Sequence, residues 1–593
     1  MKRKWEIYKP ITDEDKKKFP DVHPVVLQLL FNRGIKSSEE VEKFLNTNFE
    51  SVSSPFRLTG MDKAVERILK AIEEDEKITI YADYDADAVT ACAVLYRGLK
   101  QLGVKNLGYY IPDRFDEGYG VNKEAVEKIV ESGAKLIITV DCGTNSVEET
   151  TLANKLGMDV IITDHHEITG NLPKCVAVIN HHRDGHHDLS GLTGVGTAYK
   201  LVQGLMAVLF AEEYKKSYEW QIPEIDFTPT ETFIQVKREL YPHWEKWLLD
   251  LVAIGTVADV QSLHGENRIL VKYGLQVLQK TRWIGLKQIM QNSSLDMNRK
   301  FDTFTIGFII APRINAASRI QHAEIAFKLL IGDNLEEVGS YAGQLESLNQ
   351  HRQRLTEQIV SEAKAQAELQ RDNKIILVVG EDWPKGVIGL VASRLSQEFY
   401  RPTVVLEKSK GHATGSARSI EQFDIVSAFS QNASYLERFG GHAQAAGLTI
   451  KASKIPKFHQ SLLEFAHEKI SDQDLVKTQK IDIQISPSEL NNELVTAFES
   501  LEPFGAGNPS PTIMIEGLTL ENSRTVGNTS KHLKIQASKD NVIINLIGFG
   551  FGPRINTFSP GSKFDVVAEP SINKWNGRSE IQLKIIDLKK SEN

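Results

Sequence analysis

Acidic and imidazole side chains follow three short apolar runs of the sequence, at the point where each run ends. They are Asp83, Asp85 and Asp87 after residues 78–81, Asp141 after residues 136–140, and Asp164, His165 and His166 after residues 160–163. Carboxylates held close together repel one another, and a divalent cation removes that conflict. Oxygen-rich donor sets with one or two imidazoles suit Mn²⁺ or Mg²⁺ better than Zn²⁺. Two such ions about 4 Å apart form the arrangement that hydrolyses phosphate esters.

These runs belong to an alternating pattern of strands and helices that begins near residue 75. Four runs, at 78–81, 107–111, 136–140 and 160–163, are short and continuously apolar, and helical segments ending at glycine separate them. This pattern predicts a parallel sheet covered on both faces. The carboxyl ends of neighbouring parallel strands face one crevice, so we expect the seven side chains to converge there. A single aspartate after a strand is usually a turn or cap residue, but three strands that end this way favour a metal site.

Two other groups of residues have more than one interpretation. Asp259 ends the apolar segment 251–258 and either completes the metal shell or is a solvent-exposed residue at a helix end. His181, His182, His186 and His187 have a spacing that permits metal binding, but a solvated loop is the favoured interpretation. The Gly194-Val195-Gly196 segment is too short for a dinucleotide-binding fingerprint, and the sequence has no phosphate-binding P-loop motif.

The composition excludes several classes of protein. The chain has 593 residues, with 70 basic and 78 acidic side chains and a net charge of −8, which argues against a binder that relies on bulk positive charge. Three cysteines exclude a disulfide framework and favour a reducing, cytoplasmic location. We expect no signal peptide, because no apolar h-region follows the basic start of the sequence, and no membrane span, because no apolar run reaches about 18 residues.

The pattern predicts an α/β multidomain protein. The expected parts are an N-terminal helical lead-in over 1–55, a metal-binding parallel-sheet domain over 56–330 with an insertion at about 211–247, a long connecting helix over 331–372, a smaller α/β domain over 373–472, and an all-β module over 478–593. The long helix could be a packed core helix, but its charged outer face favours a spacer between two domains. The all-β module is compatible with a small Greek-key barrel.

The ordered motifs resemble those of the DHH phosphoesterases. The runs DYDAD at 83–87, DCG at 141–143, DHH at 164–166 and GTVAD at 255–259 match the four motifs of that family. Further segments resemble the bacterial single-strand-specific 5′→3′ DNA exonucleases within it: YIPDRFDEGYG at 110–120, APRINAASR at 311–319, GSARS at 415–419, FGGHAQAAG at 439–447 and PFGAGNP at 503–509. The resemblance spans about 78 to 580 and implies a DHH domain, a connecting helix, a DHH-associated domain and an OB-fold.

The resemblance implies roles for individual residues. Five would hold two Mn²⁺ or Mg²⁺ ions, with Asp141 bridging: Asp85, Asp87, Asp141, His165 and Asp259. Asp83 and Asp164 would support these ligands or bind more weakly, and His166 would contact the scissile phosphate. The residues implied to hold the DNA 5′ end are Arg114, Ser416 and Arg418, and those implied to line the same cleft are Arg313, Asn315, Arg319 and His442.

The implied activity is two-metal hydrolysis of single-stranded DNA from its 5′ end with release of 5′-mononucleotides, in recombination and repair. A helicase or a single-strand-binding protein is an expected partner. Basic and aromatic side chains of the all-β module would bind single strands: Lys531, Lys534, Phe549, Phe551, Arg554, Lys574, Trp575 and Arg578. Phe549 and Phe551 could equally belong to the core of the barrel. The alternatives are a phosphodiesterase acting on short oligonucleotides and a non-catalytic single-stranded-DNA-binding scaffold.

Three positions depart from the family pattern, which usually has glycine there. This chain has Ala82, Ala88 and Ser318 instead. If either alanine had to adopt a positive φ, the site would carry strain of about 1 kcal/mol or more.

Overall fold

The computed structural model describes residues 3–183, 185, 188–225, 231–527, 529–575 and 578–591. The chain divides into two compact units, one formed by Met1–Asn48, Ser262–His264 and Thr478–Asn593 and the other by Phe49–Gln261 and Gly265–Lys477. The first elements belong to the former unit: β1 (Lys4–Ile7), α1 (Asp13–Lys18), α2 (Pro24–Asn32) and α3 (Ser38–Leu45).

The larger unit opens with a sheet of five parallel strands. They are β2 (Ile78–Ala82), β3 (Leu107–Tyr110), β4 (Leu136–Val140), β5 (Asp159–Thr163) and β6 (Ala177–Ile179), in the order β3-β2-β4-β5-β6. All residues of β2 and β4 are buried, which explains their continuously apolar sequences. The pattern of the sequence predicts four of these strands but not β6, which has only three residues.

Twelve helices accompany this sheet in the described residues. They are α4 (Met61–Glu73), α5 (Ala86–Gln101), α6 (Lys123–Glu131), α7 (Val147–Lys155), α8 (Gly194–Leu209), α9 (Ala211–Tyr218), α10 (Glu231–Glu239), α11 (Leu249–Ala258), α12 (Gly265–Gln279), α13 (Ile284–Asn292), α14 (Ala311–Ile320) and α15 (Glu324–Ile331). A π-helical segment, Thr305–Ile310, leads directly into α14. The segment expected as an insertion contains α9 and α10.

A single long helix, α16 (Leu335–Glu368), joins this domain to the next. The Asn334 side chain accepts hydrogen bonds from the N–H groups of Glu336 and Glu337 and so starts the helix. At 1.5 Å per residue the helix is about 50 Å long. Its buried residues include Val338, Leu345 and Ile359, and it packs on α13 to α15 at one end and on the second α/β domain at the other. The helix is therefore both a spacer and a packed element.

The second α/β domain has a mixed sheet in the order β10-β11-β9-β8-β7. Its elements are β7 (Ile376–Glu381), α17 (Lys385–Phe399), β8 (Thr403–Ser409), β9 (His412–Arg418), α18 (Ile425–Gln431), β10 (Leu436–His442), β11 (Ala445–Lys451) and α19 (Ile455–Lys469). Apolar cores cover both faces of this sheet.

The C-terminal elements form a closed barrel. They are β12 (Thr478–Ile481), β13 (Ile483–Gln484), α20 (Asn492–Glu499), β14 (Ile513–Val526), β15 (His532–Lys539), β16 (Val542–Gly548), β17 (Lys563–Trp575) and β18 (Arg578–Lys590). Pairing of β14 with β17 closes the sheet. In the same unit, β1 pairs with β12, and α2 and α3 pack on the barrel core.

Among the described residues, no single helix combines the length and the apolar run needed to cross a membrane. The pair α8 and α9 meets these criteria only when both helices are counted together, and the pair is bent by 114°.

Candidate metal centre

The carboxyl ends of β2, β4 and β5 lie side by side, because these strands are direct neighbours in the sheet. Asp83 follows β2 closely, Asp141 follows β4 and Asp164 follows β5. The expected convergence of acidic residues is therefore present at this edge. Helix α11 brings a further carboxylate to the same place, since Asp259 is its C-terminal cap residue.

Asp87 is held by the start of another helix. Its carboxylate accepts hydrogen bonds from the N–H groups of Gly194, at 2.7 Å, and Val195, at 3.0 Å, in the first turn of α8. A helix N-terminus carries unpaired donors and partial positive charge, so it fixes a buried carboxylate well. Close packing requires glycine twice here: a Cβ on Gly194 would lie 2.5 Å from Asp141 Oδ1, and one on Gly255 would lie 2.7 Å from Asp87 Oδ1.

Asp141 adopts a left-handed backbone conformation, with φ of 59°. Its N–H donates to Thr163 O at 2.9 Å, which ties the end of β4 to β5. Such a conformation is unfavourable for most residues and persists where the surrounding structure fixes it, often at functional sites. Here it sends the side chain of Asp141 toward His165.

His165 lies at the centre of the acidic group. Its Nε2 atom is 3.0 Å from Asp141 Oδ1 and 3.9 Å from both Asp87 Oδ2 and Asp259 Oδ2. Burial, followed by the charge of His166, lowers the pKa of His165 to about 3. The imidazole is therefore neutral at physiological pH and has a nitrogen lone pair available for a metal ion.

Two overlapping groups of donor atoms are compact enough to hold a metal ion. One comprises Asp87, His165 and Asp259, and the other Asp141, His165 and His166, with the donor atoms of each group within 4.8 Å of one another. The structure thus brings together four of the five expected ligands. Asp85 is the exception, because its carboxylate caps α5 by accepting from the Ala88 N–H at 3.0 Å and belongs to neither group.

Several carboxylates of this centre lack enough hydrogen-bond donors or positive charges to stabilise their ionised form. Three buried carboxylate oxygens of this centre have no hydrogen-bond partner among the described residues: Asp83 Oδ1, Asp141 Oδ1 and Asp259 Oδ2. Burial, together with the neighbouring carboxylates, raises the pKa of Asp83, Asp87 and Asp141 well above the usual range and that of Asp259 to about 6. Buried, unpartnered oxygens that repel one another are the environment that divalent cations stabilise.

Asp164 orients the two histidines. Its Oδ1 accepts from the His165 N–H at 2.7 Å and lies 2.7 Å from His166 Nδ1, while its Oδ2 accepts from the Thr144 N–H at 2.9 Å. Burial opposes ionisation, but the hydrogen bond and charge of His166 lower the pKa of Asp164 below its ordinary value. Asp164 therefore contributes to the site by positioning His165 and His166.

His166 faces both the metal centre and Tyr119. Its Nε2 atom lies 3.0 Å from the Tyr119 hydroxyl. Burial lowers the pKa of His166, but the hydrogen bond and charge of Asp164 outweigh this and raise it above the ordinary value. An imidazolium held in this way can donate a proton to a leaving group.

Cationic side chains lie beside the metal centre with little compensating charge. Arg418 donates to Ser416 Oγ at 3.1 Å, and Arg114 lies 4.9 Å from the ring centre of Tyr84. Burial, followed by the charges of Arg114, Arg352 and Arg418, lowers the pKa of Arg319 to about 10. Several buried guanidinium groups that repel one another favour an anionic ligand.

The other residues expected to line the cleft have partners within the chain or lie at the surface. Arg313 pairs with Glu346 on α16 at 2.6 Å, and Asn315 Oδ1 accepts from the Ala86 N–H at 3.0 Å, which holds the start of α5. His442 is exposed at the end of β10. Their contact with substrate stays a prediction.

The three departures from the glycine pattern introduce no backbone strain. Ala82 ends β2, Ala88 lies in α5 and Ser318 lies in α14, and none of them has a positive φ. In the histidine-rich segment, His181 is buried, and the ring centroid of His182 lies 4.2 Å from that of His181 with the rings tilted by 38°. His186 and His187 lie outside the described residues.

Several residues of the site carry no clear signal in the sequence. Gly194 and Val195 belong to a short glycine pattern that does not by itself indicate which carboxylate it binds. Thr144 and Tyr119 are polar residues of loops. A Thr-Gly-x-Gly start to a buried helix is the one signal that could have indicated a carboxylate-binding helix N-terminus; here it is Thr193-Gly194-Val195-Gly196.

Comparison with known proteins gives matches along the whole chain. Family models match residues 77–229 (DHH family, N-terminal domain), 372–468 (DHHA1 domain) and 481–587 (RecJ OB domain). The single-stranded-DNA-specific exonuclease RecJ of Bacillus subtilis is 37% identical over 100% of this chain and 71% of that protein. The protein of the same name from Escherichia coli is 30% identical over 99% of each chain. The crystal structure of RecJ in complex with Mn²⁺ from Thermus thermophilus has a TM-score of 0.81 at 26% identity, and covers 100% of this chain and 80% of that one.

The DHH and DHHA1 matches fall on the two α/β domains that α16 joins, and the acidic residues lie at the strand ends of the first. These features define a DHH phosphoesterase. Within that class, the third family model matches the barrel, and the identity to a RecJ protein extends over the full chain. The chain belongs to the RecJ family of single-stranded-DNA-specific exonucleases, and its expected order of domains is confirmed.

Proposed function

We propose that this chain hydrolyses single-stranded DNA from the 5′ end, releases 5′-mononucleotides and acts in recombination and repair. The observation that carries the proposal is the arrangement of Asp87, Asp141 and Asp259 around His165 Nε2, within 3.0 to 3.9 Å. Relatives in this family are named single-stranded-DNA-specific exonucleases, and crystal structures of a relative have been solved with Mn²⁺ and with Mg²⁺.

The donor set fits a pair of divalent ions, Mn²⁺ or Mg²⁺. The oxygens of Asp141 and Asp259 that lack partners, and the neutral imidazole of His165, are suitable ligands for either metal. Asp87 would complete the set, and Asp85 would join it by giving up its cap on α5. When bound, two such ions lower the pKa of water and polarise the phosphate.

His166 is the group that we assign to the leaving oxygen. Asp164 Oδ1 lies 2.7 Å from its Nδ1 atom and raises the pKa of the ring, which favours Nε2 as a proton donor. The Tyr119 hydroxyl, 3.0 Å from Nε2, limits rotation of the ring. A positioned imidazolium of this kind contributes to cleavage by protonating the departing 3′ oxygen.

The arginines would set the 5′→3′ direction of digestion by binding the 5′ end of the strand. Arg418 and Ser416 lie two residues apart on β9 and are hydrogen-bonded to each other. Arg319 interacts electrostatically with Arg418 and Asp85, and Arg114 interacts with Asp83. Guanidinium groups bind phosphate through two parallel hydrogen bonds. A terminal 5′ phosphate bound there would place the first internal phosphodiester at the metal centre, so cleavage would release one nucleotide at a time.

The barrel offers a surface for sequence-tolerant binding of single strands. Phe549 is 61% exposed beside His532, whereas Phe551 packs on the barrel core and lies 5.3 Å from the Arg554 guanidinium. Lys531 is exposed nearby in sequence. Aromatic faces with basic neighbours bind single strands without reading their sequence. The side chains of Lys574, Trp575 and Arg578 lie outside the described residues.

The proposal extends to setting and partners. The three cysteines are free, which fits the reducing cytoplasm that we propose as the location. A helicase that unwinds duplex, or a protein that coats single strands, would supply the substrate, and we propose these as partners on the basis of the family.

The test is digestion of 5′-phosphorylated single-stranded DNA labelled at either end, with Mn²⁺ present. We expect the 5′ label to appear at once as a mononucleotide, while the 3′ label stays on progressively shorter strands. Asp141→Ala and a chelator should each abolish both signals. Asp159→Ala, at the opposite end of β5, is the matched control and should digest normally. Early release of the 3′ label would refute the polarity, and faster turnover of dinucleotides would favour an oligonucleotide phosphodiesterase.

A further inference from the structure

Phe304 and Phe308 form an exposed aromatic pair in the larger unit. Their rings are stacked, with centroids 4.6 Å apart and an interplanar angle of 19°, yet the residues are 51% and 70% exposed. Large apolar side chains that are exposed together, and held parallel, indicate an interaction surface. The mechanism described above does not use them.

The backbone that carries this pair is firmly anchored. Phe304 precedes the π-helical segment and Phe308 lies within it. The Ile309 carbonyl at its end accepts from Arg313 Nη1 at 2.7 Å, and Arg313 is itself held by Glu346 on α16. A platform of this kind loses little conformational entropy when a flat ligand stacks on it.

The same segment packs against the helix that ends at the metal centre. A Cβ built on Gly307 would lie 3.7 Å from Val257 Cγ1, in ordinary contact, and Val257 is two residues before Asp259. Val260, just after Asp259, is 73% exposed. The segment that carries the phenylalanine pair therefore lies against the helix that ends at Asp259, whereas Arg114 and Arg319 interact electrostatically with Asp83 and Asp85.

We propose that Phe304 and Phe308 stack against one or two nucleobases on the 3′ side of the scissile phosphate. The inference rests on the proposed function, since the bound 5′ phosphate sets the direction in which the strand continues. Phenyl rings make no hydrogen bonds to bases, and every base offers a flat face, so such a platform tolerates any sequence. It holds the strand in line while each nucleotide is removed.

The test measures the digestion of two DNA strands by the wild type and by a variant that lacks both phenyl rings. The strands are 5′-phosphorylated dT20 and the same strand with abasic sites at the second, third and fourth nucleotides. We expect Phe304→Ala/Phe308→Ala to lower kcat/KM on dT20 by about 10-fold or more, through KM, as for the loss of a stacked base. The abasic strand should be cut equally by both proteins, because it has no bases for the platform to bind.

Two further variants separate stacking from bulk. Phe304→Tyr/Phe308→Tyr keeps the flat faces and should match the wild type. Phe304→Leu/Phe308→Leu keeps the apolar bulk and should behave like the alanine variant, so it decides the matter if the alanine variant does not fold. Equal activity of the leucine variant and the wild type on dT20, or an equal loss on both strands, would overturn the platform. A wild type that cuts neither strand would instead overturn the proposed exonuclease function, and the platform with it.

Discussion

Gly194 and Asp141 approach so closely that position 194 has no room for a side chain: a Cβ there would lie 2.5 Å from Asp141 Oδ1. The first turn of α8 can reach Asp87 only because of this close approach, since the Gly194 N–H donates to Asp87 at 2.7 Å. One glycine thus positions two carboxylates of the metal centre.

Gly194→Ala should therefore disable the enzyme without unfolding it. The new methyl group must push Asp141 or α8 aside, and a displacement of about 1 Å at a reacting centre costs on the order of 100-fold in rate. The measurement is kcat on 5′-phosphorylated single strands. The matched control is Gly339→Ala in α16, where a Cβ would meet nothing within 4 Å, and activity should be unchanged. A fully active Gly194→Ala would contradict the geometry.

Asp164→Asn should lower kcat more than it changes KM. The substitution keeps the size of the side chain but removes the charge that orients His166 and raises its pKa. Loss of a positioned proton donor costs roughly 100- to 10,000-fold. Asp15→Asn, which alters a carboxylate that accepts from a backbone N–H at the start of α1, serves as the control and should leave kcat unchanged. A large rise in KM at constant kcat would mean that Asp164 only shapes the binding surface.

Arg418→Ala should remove the preference for a terminal phosphate. Arg418 and Ser416 are hydrogen-bonded at 3.1 Å beside other arginines, so the variant loses a charged fork of donors. We expect KM for 5′-phosphorylated strands to rise by about 10- to 100-fold, in line with a charge-assisted hydrogen bond worth about 1.5 to 3 kcal/mol. Strands with a 5′ hydroxyl should be cut at nearly the same rate by both proteins.

The control for that experiment is Lys408→Ala on the neighbouring strand β8, where an exposed lysine pairs with Glu381. It should keep the discrimination between the two kinds of end. An equal loss on both substrates with Arg418→Ala would show that the arginine does not read the terminal phosphate.

Much of the centre follows from local patterns. Apolar runs that end in Asp83, Asp141 and Asp164 indicate neighbouring parallel strands, and parallel strands bring their carboxyl ends to one edge whatever the distant sequence does. The start of the long helix is equally local, since Asn334 caps it through the next residues of the chain.

The remainder depends on contacts between residues far apart in the chain. Asp87 is fixed by Gly194, and β1 pairs with β12 from the opposite end of the sequence. No periodicity encodes these pairings, because they depend on how complete elements pack. The role of Asp85 shows the converse: its local cap on α5 is visible in the structure, while a motif alone suggests only a metal ligand.

Glu245 should make the stability of the chain depend on pH. It is fully buried near Lys200 and Tyr214, and burial raises its pKa from 4.5 to about 7. Between these values the folded protein keeps a proton that the unfolded chain has lost, so the free energy of unfolding falls as pH rises through this window. Glu245→Gln cannot ionise, and its advantage over the wild type should grow to at most roughly 3 kcal/mol above pH 7.

Urea unfolding of both proteins at pH 5, 6, 7 and 8 measures this difference directly. Glu131→Gln, at an exposed position at the end of α6, should show no such trend. A stability difference that is the same at pH 5 and pH 8 would mean that Glu245 stays ionised in the folded protein.

The most direct test of the metal centre is anomalous X-ray diffraction from crystals of the protein grown with Mn²⁺. Two manganese peaks should lie among the side chains of Asp87, Asp141, His165 and Asp259, and Asp141→Ala crystals should lose at least one of them. No peak at this edge of the sheet, or peaks bound only by residues elsewhere, would contradict the account.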